Sequence, residues 1–325
     1  MVPNVRFALA VAAVIICAGL GVAETRSFAD DLPAKIAVDA DGSELKAKAL
    51  SAIRENYRRL PVLRCKTVTS IENPPQKGLK LTADGLFVEA LVRDKYTIEA
   101  ELLLTDRALR LEGRHRETGE RWSRALHNGI WTKYTPDDKS ASRWYQRKNE
   151  APEANFDPRK VAASFQGDDF LDNIARFQVL RHETVRTDGR ERLSLYMMNP
   201  PSQYSDSSWH RIEFDPGRNY LPCRVVSEDP KTGDVWCIEE FQYQEVIPKS
   251  AWFLKKSDTR VFFNNPAGAP GADERSLHFT MEVVGPVRTD ETLPDDAFEI
   301  RLPPGTKLDD RTVGRRPPLE RHVAD

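Results

Sequence analysis

Residues 96–104 read YTIEAELLL and residues 109–112 read LRLE, and this stretch decides the fold. Apolar side chains stand at every second position from Tyr96 onward, with Glu99 and Glu101 between them, and the second segment repeats the pattern. A period of two is that of a strand with one face in a core and the other in water. Two such runs joined by a short polar connection predict half-buried antiparallel strands.

The same period recurs along most of the chain, separated by turn signals such as Asp188-Gly189, a strong hairpin signal. Helices never alternate regularly with strands, which argues against a doubly wound α/β fold, and a sheet of so many strands must curl. The sequence predicts a mainly β (α+β) fold in which one curved antiparallel sheet forms an unclosed half-barrel. Further strands are predicted at residues 121–127, 129–135, 142–147, 177–186, 192–198, 209–214, 222–228, 235–244, 252–257, 260–263, 277–284 and 298–302.

Two helical regions accompany the sheet. Ser43 is a good N-cap, and the apolar residues after it recur at three- and four-residue spacing, so an amphipathic helix is predicted that ends at Pro61. In the middle of the chain, Asp157-Pro158 is typical of a helix start. We predict short helices over residues 157–164 and 168–177, and we expect them to lie over the open end of the half-barrel as a lid.

The first residues resemble a targeting segment. Residues 7–23 read FALAVAAVIICAGLGVA after Arg6, with the small residues Gly21 and Ala23 before a cleavage point. This is the outline of a secretory signal peptide, so residues 1–23 are predicted to be removed on export to the periplasm or an equivalent compartment. An uncleaved N-terminal membrane anchor is the alternative.

The remaining boundaries follow from where periodicity begins and ends. Residues 24–42 lack periodicity and are predicted to be a flexible leader. Residues 43–310 hold the predicted helices and strands and form the half-barrel domain. Residues 311–325 are predicted to be a disordered tail.

Composition excludes several function classes. The 325-residue chain has 48 Lys+Arg against 50 Asp+Glu, a net charge of -2, so it has no excess charge to neutralise a nucleic acid. No two of the six histidines stand at the helical spacing of a zinc site, and the chain has neither a glycine-rich nucleotide loop nor a nucleophile elbow. We therefore predict no nucleic-acid partner, no metal and no cofactor.

Three cysteines follow the proposed signal peptide. Export would leave Cys65, Cys223 and Cys237 in an oxidising compartment, and an odd number cannot all pair within the chain. Cys223 and Cys237 flank a turn near Pro230, so a disulfide between them is one interpretation. The register of that hairpin decides between a bridge and free thiols, and the sequence leaves it open.

Paired carboxylates occur several times, mostly at turns, where solvated acids are ordinary. Glu239-Glu240 is the exception, because it falls within a predicted strand. Neighbours on a strand point to opposite faces, so one of the two must face inward. An inward carboxylate could serve as the acid or base of a hydrolase.

Two other motifs stand far apart in the chain. Residues 128–136 read NGIWTKYTP, and residues 298–310 read FEIRLPPGTKLDD. Together with residues 212–215, Leu221-Pro222 and Gly233, they resemble in order the strand-and-turn motifs of the outer-membrane lipoprotein carrier family (LolA/LolB-like, which is related to the regulator RseB). The resemblance implies an unclosed β-barrel with helices at its mouth and a cavity that receives acyl chains.

Aromatic residues concentrated on the predicted strands fill either a packed core or an apolar pocket of this kind. We predict a non-enzymatic binding protein that shields the acyl chains of a lipid or lipoprotein. One alternative is an envelope-stress sensor that contacts a membrane-anchored partner, and another is an envelope hydrolase that uses Glu239 or Glu240. The predicted cavity lining is Trp131, Tyr134, Trp144, Phe165, Phe170, Ile174, Leu195 and Phe241.

Overall fold

The computed structural model describes residues 39–74, 76–81, 87–92, 94–105, 108–145, 170–187, 189–199, 208–262, 267, 269, 272, 276–289, 292–294 and 296–312. Within these ranges the helices are α1 (Ala40–Arg58) and α2 (Phe170–Arg176). The strands are β1 (Leu63–Glu72), β2 (Gln76–Leu81), β3 (Phe87–Val92), β4 (Lys95–Leu104), β5 (Leu109–His115), β6 (Arg121–His127), β7 (Ile130–Thr135), β8 (Ser140–Tyr145), β9 (Gln178–Thr187), β10 (Arg190–Asn199), β11 (Ser208–Asp215), β12 (Leu221–Glu228), β13 (Val235–Ile247), β14 (Ala251–Phe262), β15 (Ser276–Arg288) and β16 (Lys307–Asp310).

One 14-stranded sheet dominates the fold, in the order β16-β8-β7-β6-β5-β4-β1-β15-β14-β13-β12-β11-β10-β9. The sheet is curved and unclosed, because β16 and β9 are its two edges and do not pair with each other. All neighbouring strands in it run antiparallel except β16, which lies parallel to β8. Strands β2 and β3 form a separate hairpin inserted between β1 and β4. The predicted mainly β, unclosed architecture is confirmed.

Helix α1 packs against one face of the sheet, which we call the inner face. Strand β1 shows how the alternation produces it, since every second residue from Leu63 to Ile71 is buried on that side. The same holds in β4, where the alternation predicted from the sequence buries Ile98 and Leu102. Burial of each large apolar side chain contributes about 1.5–3 kcal/mol to folding.

Helix α1 begins at Ala40, earlier than the N-cap predicted at Ser43. The cap is Asp39, whose Oδ1 accepts the Gly42 N–H at 3.0 Å. Both residues are suitable caps, and a tertiary contact decides between them, because Oδ2 of Asp39 also lies 2.6 Å from Nδ1 of His182 on β9. The sequence around Ser43 could not reveal a partner so distant in the chain.

The inner face carries two apolar clusters. The first, which we call the helix cluster, joins α1 and α2 to the inner face of β9–β15. Its members are Ala49, Leu50, Ile53, Ile174, Phe177, Val179, Leu193, Leu195, Met197, Ile212, Phe214, Leu221, Val225, Phe241, Tyr243, Leu254 and Met281.

The second, which we call the tryptophan cluster, spreads over the inner face of β1 and β4–β7 and reaches the neighbouring ends of β14 and β15. Its members are Leu60, Leu63, Cys65, Ile98, Ala100, Leu102, Leu104, Leu109, Leu111, Trp122, Trp131, Ala251, Phe253 and Val283, with Trp144 and Leu126 packed against it.

Two predicted strands differ from the structure. The sequence predicts separate strands at residues 252–257 and 260–263, but β14 runs unbroken from Ala251 to Phe262. Asp258 is accommodated because its side chain points to the outer face, where Oδ1 lies 3.0 Å from Nε2 of His278.

Residues 298–302 do not form the expected closing strand. Phe298 and Ile300 are buried at alternate positions, as in a strand, but the segment packs across the outer face of the sheet without a ladder. Arg110 of β5 donates to the C=O of Ala297 at 3.0 Å, and Phe298 lies 6.2 Å from the His127 ring. The following residues form the edge strand β16 instead.

Neither helix in the described part of the chain has the length and apolar character needed to cross a membrane.

Candidate functional site

The protein's own helices fill one half of the inner face. Lys46 of α1 donates to the C=O of Ala175 at 3.0 Å and of Phe177 at 2.6 Å, which ties α1 to the carboxyl end of α2. Asn56, only 1% exposed, donates to the C=O of Trp252 and accepts its N–H, both at 2.9 Å. Helix α1 is therefore fixed along its length and is a structural part of this half of the inner face.

The other half of the inner face carries three tryptophans, one each on β6, β7 and β8. Trp131 and Trp144 are cross-strand partners, and their rings stack at 6.4 Å with an interplanar angle of 18°. Trp131 is 4% exposed, whereas Trp144 is half-buried. Within the described ranges, the α1 region contributes only its last residues, Tyr57 and Leu60, to this cluster. The tryptophan cluster is thus the half of the inner face on which α1 and α2 do not lie.

Trp122 depends on a glycine of the neighbouring strand. Gly113 of β5 lies opposite Trp122 of β6, and a Cβ atom on Gly113 would be 2.2 Å from Cζ2 of the indole. Only a residue without a side chain permits this approach. Glycine at this point of an otherwise alternating strand therefore lets the indole lie over β5.

Two basic residues lie among the tryptophans. Arg124 and Lys133 are directly opposite each other on β6 and β7, and both are half-buried. The guanidinium carbon of Arg124 lies 4.7 Å from the Trp122 ring centroid. The predicted lining does not include them, because only apolar residues were expected in it. The period of two that places Trp122 and Trp131 on the inner face nevertheless also places residues 124 and 133 there.

The predicted lining residues fall into separate groups. Ile174 and Leu195 are 0% exposed and Phe241 is 4% exposed, and all three belong to the helix cluster. A ligand would reach them only if α1 or α2 moved away. Trp131 and Trp144 lie together in the tryptophan cluster.

Tyr134 does not lie on the same face as Trp131 and Trp144, so the predicted lining needs correction at this residue. It stands three positions after Trp131 on the same strand, so its side chain points to the opposite face. There it lines an outer cleft of about 430 Å³ with Ser123, Arg110 and Ile300. Tyr134 cannot share a pocket with Trp131 and Trp144. Phe165 and the side chain of Phe170 lie outside the described residues, as does the helix predicted at residues 157–164.

The carboxylate pair splits between the two faces, as the alternation requires. Glu239 is 0% exposed on the inner face, opposite Val225 and Thr259. Glu240 is exposed on the outer face, with Oε1 3.7 Å from Nε of Arg224. The two carboxylates therefore do not face a common site, and a hydrolase that uses either one stays an untested alternative.

A buried histidine on the inner face is held between two serines. Oγ of Ser208 lies 2.8 Å from Nε2 of His210, and Oγ of Ser227 lies 2.9 Å from Nδ1. Burial lowers the pKa of His210 to about 3, so the imidazole is neutral near pH 7. A general base works best with a pKa near the working pH. This serine–histidine contact is therefore poorly tuned for nucleophilic catalysis.

The structure does not contain the disulfide between Cys223 and Cys237 that the sequence analysis considered. In the described part of the chain, none of Cys65, Cys223 and Cys237 forms a disulfide. In the register of β12 and β13, Cys237 lies opposite Ser227, four positions along the strand from Cys223. At about 3.3 Å per residue this separation is too long for a bridge, which needs Cα atoms within about 7 Å.

No family model matches this chain, and no curated protein sequence matches it. Among solved structures, it is similar to a domain named for outer membrane lipoprotein sorting from Vibrio parahaemolyticus, at 14% identity over 78% of this chain and 97% of that one, with a TM-score of 0.45. It is also similar to a DUF1329 family protein from Desulfovibrio piger, at 15% identity over 80% and 96%, with a TM-score of 0.43. A third similar structure is the lipoprotein LppX from Mycobacterium tuberculosis, at 10% identity over 74% and 98%, with a TM-score of 0.25.

Proposed function

We propose that the protein is an exported, non-enzymatic carrier or receptor that holds the alkyl chain of a lipid or lipoprotein on the tryptophan cluster. The observation that carries the proposal is that α1 and α2 cover one half of the inner face and not the other. The helix cluster is filled by α1 and α2, whereas the tryptophan cluster is an apolar band over β1 and β4–β8 on which neither helix lies.

The chemistry of the band suits an alkyl chain. Leucines on β4 and β5, including Leu102 and Leu111, form its floor, and Trp131 and Trp144 form one side. Each buried methylene adds about 0.8 kcal/mol, so a chain needs few polar contacts for useful affinity. Because most of these side chains are closed to water in this structure, insertion of a chain requires an opening movement.

Binding measurements on two matched variants test the proposal. Trp144→Ala removes half-buried aromatic surface from the band, and Trp236→Ala removes a half-buried tryptophan from the outer face of β13. We expect Trp144→Ala to weaken binding of a myristoyl amphiphile about tenfold in calorimetry, because buried apolar area is lost. Trp236→Ala should bind like the unmodified protein. Equal affinities of both variants, or the absence of binding by the unmodified protein, would contradict the proposal.

A further inference from the structure

An unbroken row of apolar side chains crosses the tryptophan cluster from one strand to the next. Each member is the direct cross-strand partner of the next, on β8, β7, β6, β5, β4 and β1 in turn. Because neighbouring strands lie about 4.8 Å apart, the row spans roughly 24 Å, which exceeds the length of an extended myristoyl chain. We call it the leucine–tryptophan row, and its members are Trp144, Trp131, Leu126, Leu109, Leu104 and Leu63.

The two ends of this row differ in exposure. Leu63 and Leu104, at the β1 end, are both 0% exposed, and Leu109 is 7% exposed. Leu126 and Trp144, toward the β8 end, are only half-buried. An alkyl chain laid along the row would therefore enter from the β8 end and keep its polar end there.

The β8 end of the row also holds two hydrogen-bond donors that lack an acceptor. Nε1 of Trp131 and Nε1 of Trp144 are both buried, and neither has an acceptor within the described part of the chain. The Trp131 side chain is buried as a whole, since the residue is 4% exposed. An indole nitrogen only donates, and its N–H direction is fixed by the ring, so it cannot turn to another partner as a hydroxyl does. Buried donors without acceptors are unfavourable, and a ligand that supplies an acceptor removes that cost.

We propose that Trp131 and Trp144 bind the carbonyl oxygen of an acyl linkage, an ester or an amide, whose alkyl chain lies along the leucine–tryptophan row toward Leu63. The inference rests on the proposed function and deepens it, since it names the polar group of the ligand and its orientation. A carbonyl oxygen has two lone pairs and can accept from both indoles, whose rings are nearly parallel, at 18°. A chain of equal length on an ether lacks this oxygen and should therefore bind less tightly.

Three amphiphiles with chains of equal length test the carbonyl. Monomyristoylglycerol has an ester, tetradecylglycerol has an ether in its place, and N-myristoylglycinamide has an amide, as in an N-acylated protein. Calorimetric titration of the full chain, below the critical micelle concentration of each ligand, measures the affinities. We expect both carbonyl-containing ligands to bind about five- to tenfold more tightly than the ether, as one or two hydrogen bonds provide. The tighter of the two tells a lipid ester from an acylated protein as the source.

Variants separate the indole N–H from the apolar area of the ring. Trp131→Phe and Trp144→Phe should weaken binding of all three ligands, because ring area is lost, and should also move the ratio of ester to ether affinity toward one. The lost area cancels in that ratio, since it affects both ligands equally. Leu109→Ala shortens the apolar row and should leave the ratio unchanged. The control Trp236→Phe, on the outer face of β13, should change neither the affinities nor the ratio. Thermal unfolding of each variant verifies that it is folded.

The indole resonances of the unmodified protein provide a test that does not depend on a variant. In nuclear magnetic resonance spectra of an isotope-labelled sample, the Nε1–H protons of Trp131 and Trp144 should move downfield when monomyristoylglycerol binds. Tetradecylglycerol should move them much less, because it offers no carbonyl. The Nε1–H proton of Trp236 should respond to neither ligand.

The outcomes distinguish the two proposals. Equal affinities for the ester and the ether, or an ester preference that persists in both Trp131→Phe and Trp144→Phe, would overturn the carbonyl site and leave the alkyl-chain site standing. Indole resonances that respond equally to both ligands would have the same consequence. Failure of all three ligands to bind would overturn both proposals.

Discussion

Oδ2 of Asp39 lies 2.6 Å from Nδ1 of His182, and this contact joins the N-cap of α1 to the edge strand β9. The backbone of Asp39 adds a second link, because its N–H donates to the C=O of Val179 at 2.9 Å. One residue therefore starts the helix and attaches it to the sheet. Its titration should be visible in the stability of the whole domain.

Replacement of Asp39 should separate its two roles. Burial tends to raise the pKa of Asp39, but the hydrogen bond from the Gly42 N–H and the contact with His182 outweigh it and lower the pKa below its ordinary 3.8. A carboxyl with a depressed folded-state pKa stabilises the fold above the unfolded-state pKa, and that stability is lost as the pH falls through the folded-state pKa. We expect Asp39→Ala to lower the free energy of unfolding by about 1 kcal/mol at pH 7.

Asp39→Asn keeps the cap and loses the charge, so its deficit should be smaller. Urea unfolding at pH 7 and below pH 3.8 tests the linkage, because the difference between Asp39→Asn and the unmodified protein should shrink at the lower pH. Asp41→Asn, exposed in the first turn of α1, is the control. A deficit that does not change with pH would contradict the assignment.

The helix cluster should determine stability rather than binding. Leu195 is 0% exposed beneath the helices, and truncation of such a leucine to alanine costs about 2–5 kcal/mol. We expect Leu195→Ala to show this loss in urea unfolding while its affinity for a myristoyl amphiphile stays within twofold of the unmodified value. A large loss of affinity in a folded Leu195→Ala protein would extend the binding site into the helix cluster.

Gly113 should be intolerant of any side chain because of Trp122. A Cβ at residue 113 would be 2.2 Å from the indole, so Gly113→Ala forces the ring to move, at a cost of about 1–3 kcal/mol. The double variant Gly113→Ala/Trp122→Leu removes the clash. Denaturant unfolding of the single and double variants should give strongly non-additive losses. Additive losses would show that the two residues do not compete for the same space.

The thiols should react only when the protein unfolds. Burial raises the pKa of Cys223 to about 11 and that of Cys237 well above its ordinary value, and the thiolate is the reactive form. We expect Cys65, Cys223 and Cys237 to react slowly with a disulfide reagent in native buffer and completely in urea, without prior reduction. A requirement for a reductant before Cys223 and Cys237 react would show that they are bridged after all.

The sequence predicted the sheet well because the signal is local. Alternation in residues 96–104 and 109–112 predicts both the strands and their buried face. The antiparallel order of the strands from β4 to β8 follows from the turn residues between them. What the sequence did not supply was long-range pairing. The cap at Asp39 depends on His182, and the path of residues 298–302 depends on Arg110 and His127.

The candidate site was predicted only in part, and the reason is again physical. Trp131 and Trp144, which both belong to the predicted lining, are neighbours in the structure. Tyr134 was grouped with them, although an odd spacing on a strand sends its side chain to the other face. Arg124 and Lys133 were missed because a pocket for alkyl chains was expected to have an apolar lining. The alternation of side chains along a strand, applied to charged as well as apolar residues, would have placed both on the inner face.

Photo-crosslinking tests the central claim most directly. A myristoyl lysophosphatidic acid with a diazirine in its chain is irradiated with the full chain, and the labelled peptides are identified by mass spectrometry. The tryptophan cluster as the alkyl-chain site predicts labels on inner-face residues of β4–β8, competed by unmodified lipid and reduced in Trp144→Ala. Labels confined to β9–β12 or to the outer cleft around Tyr134, or labels that unmodified lipid does not compete, would contradict it.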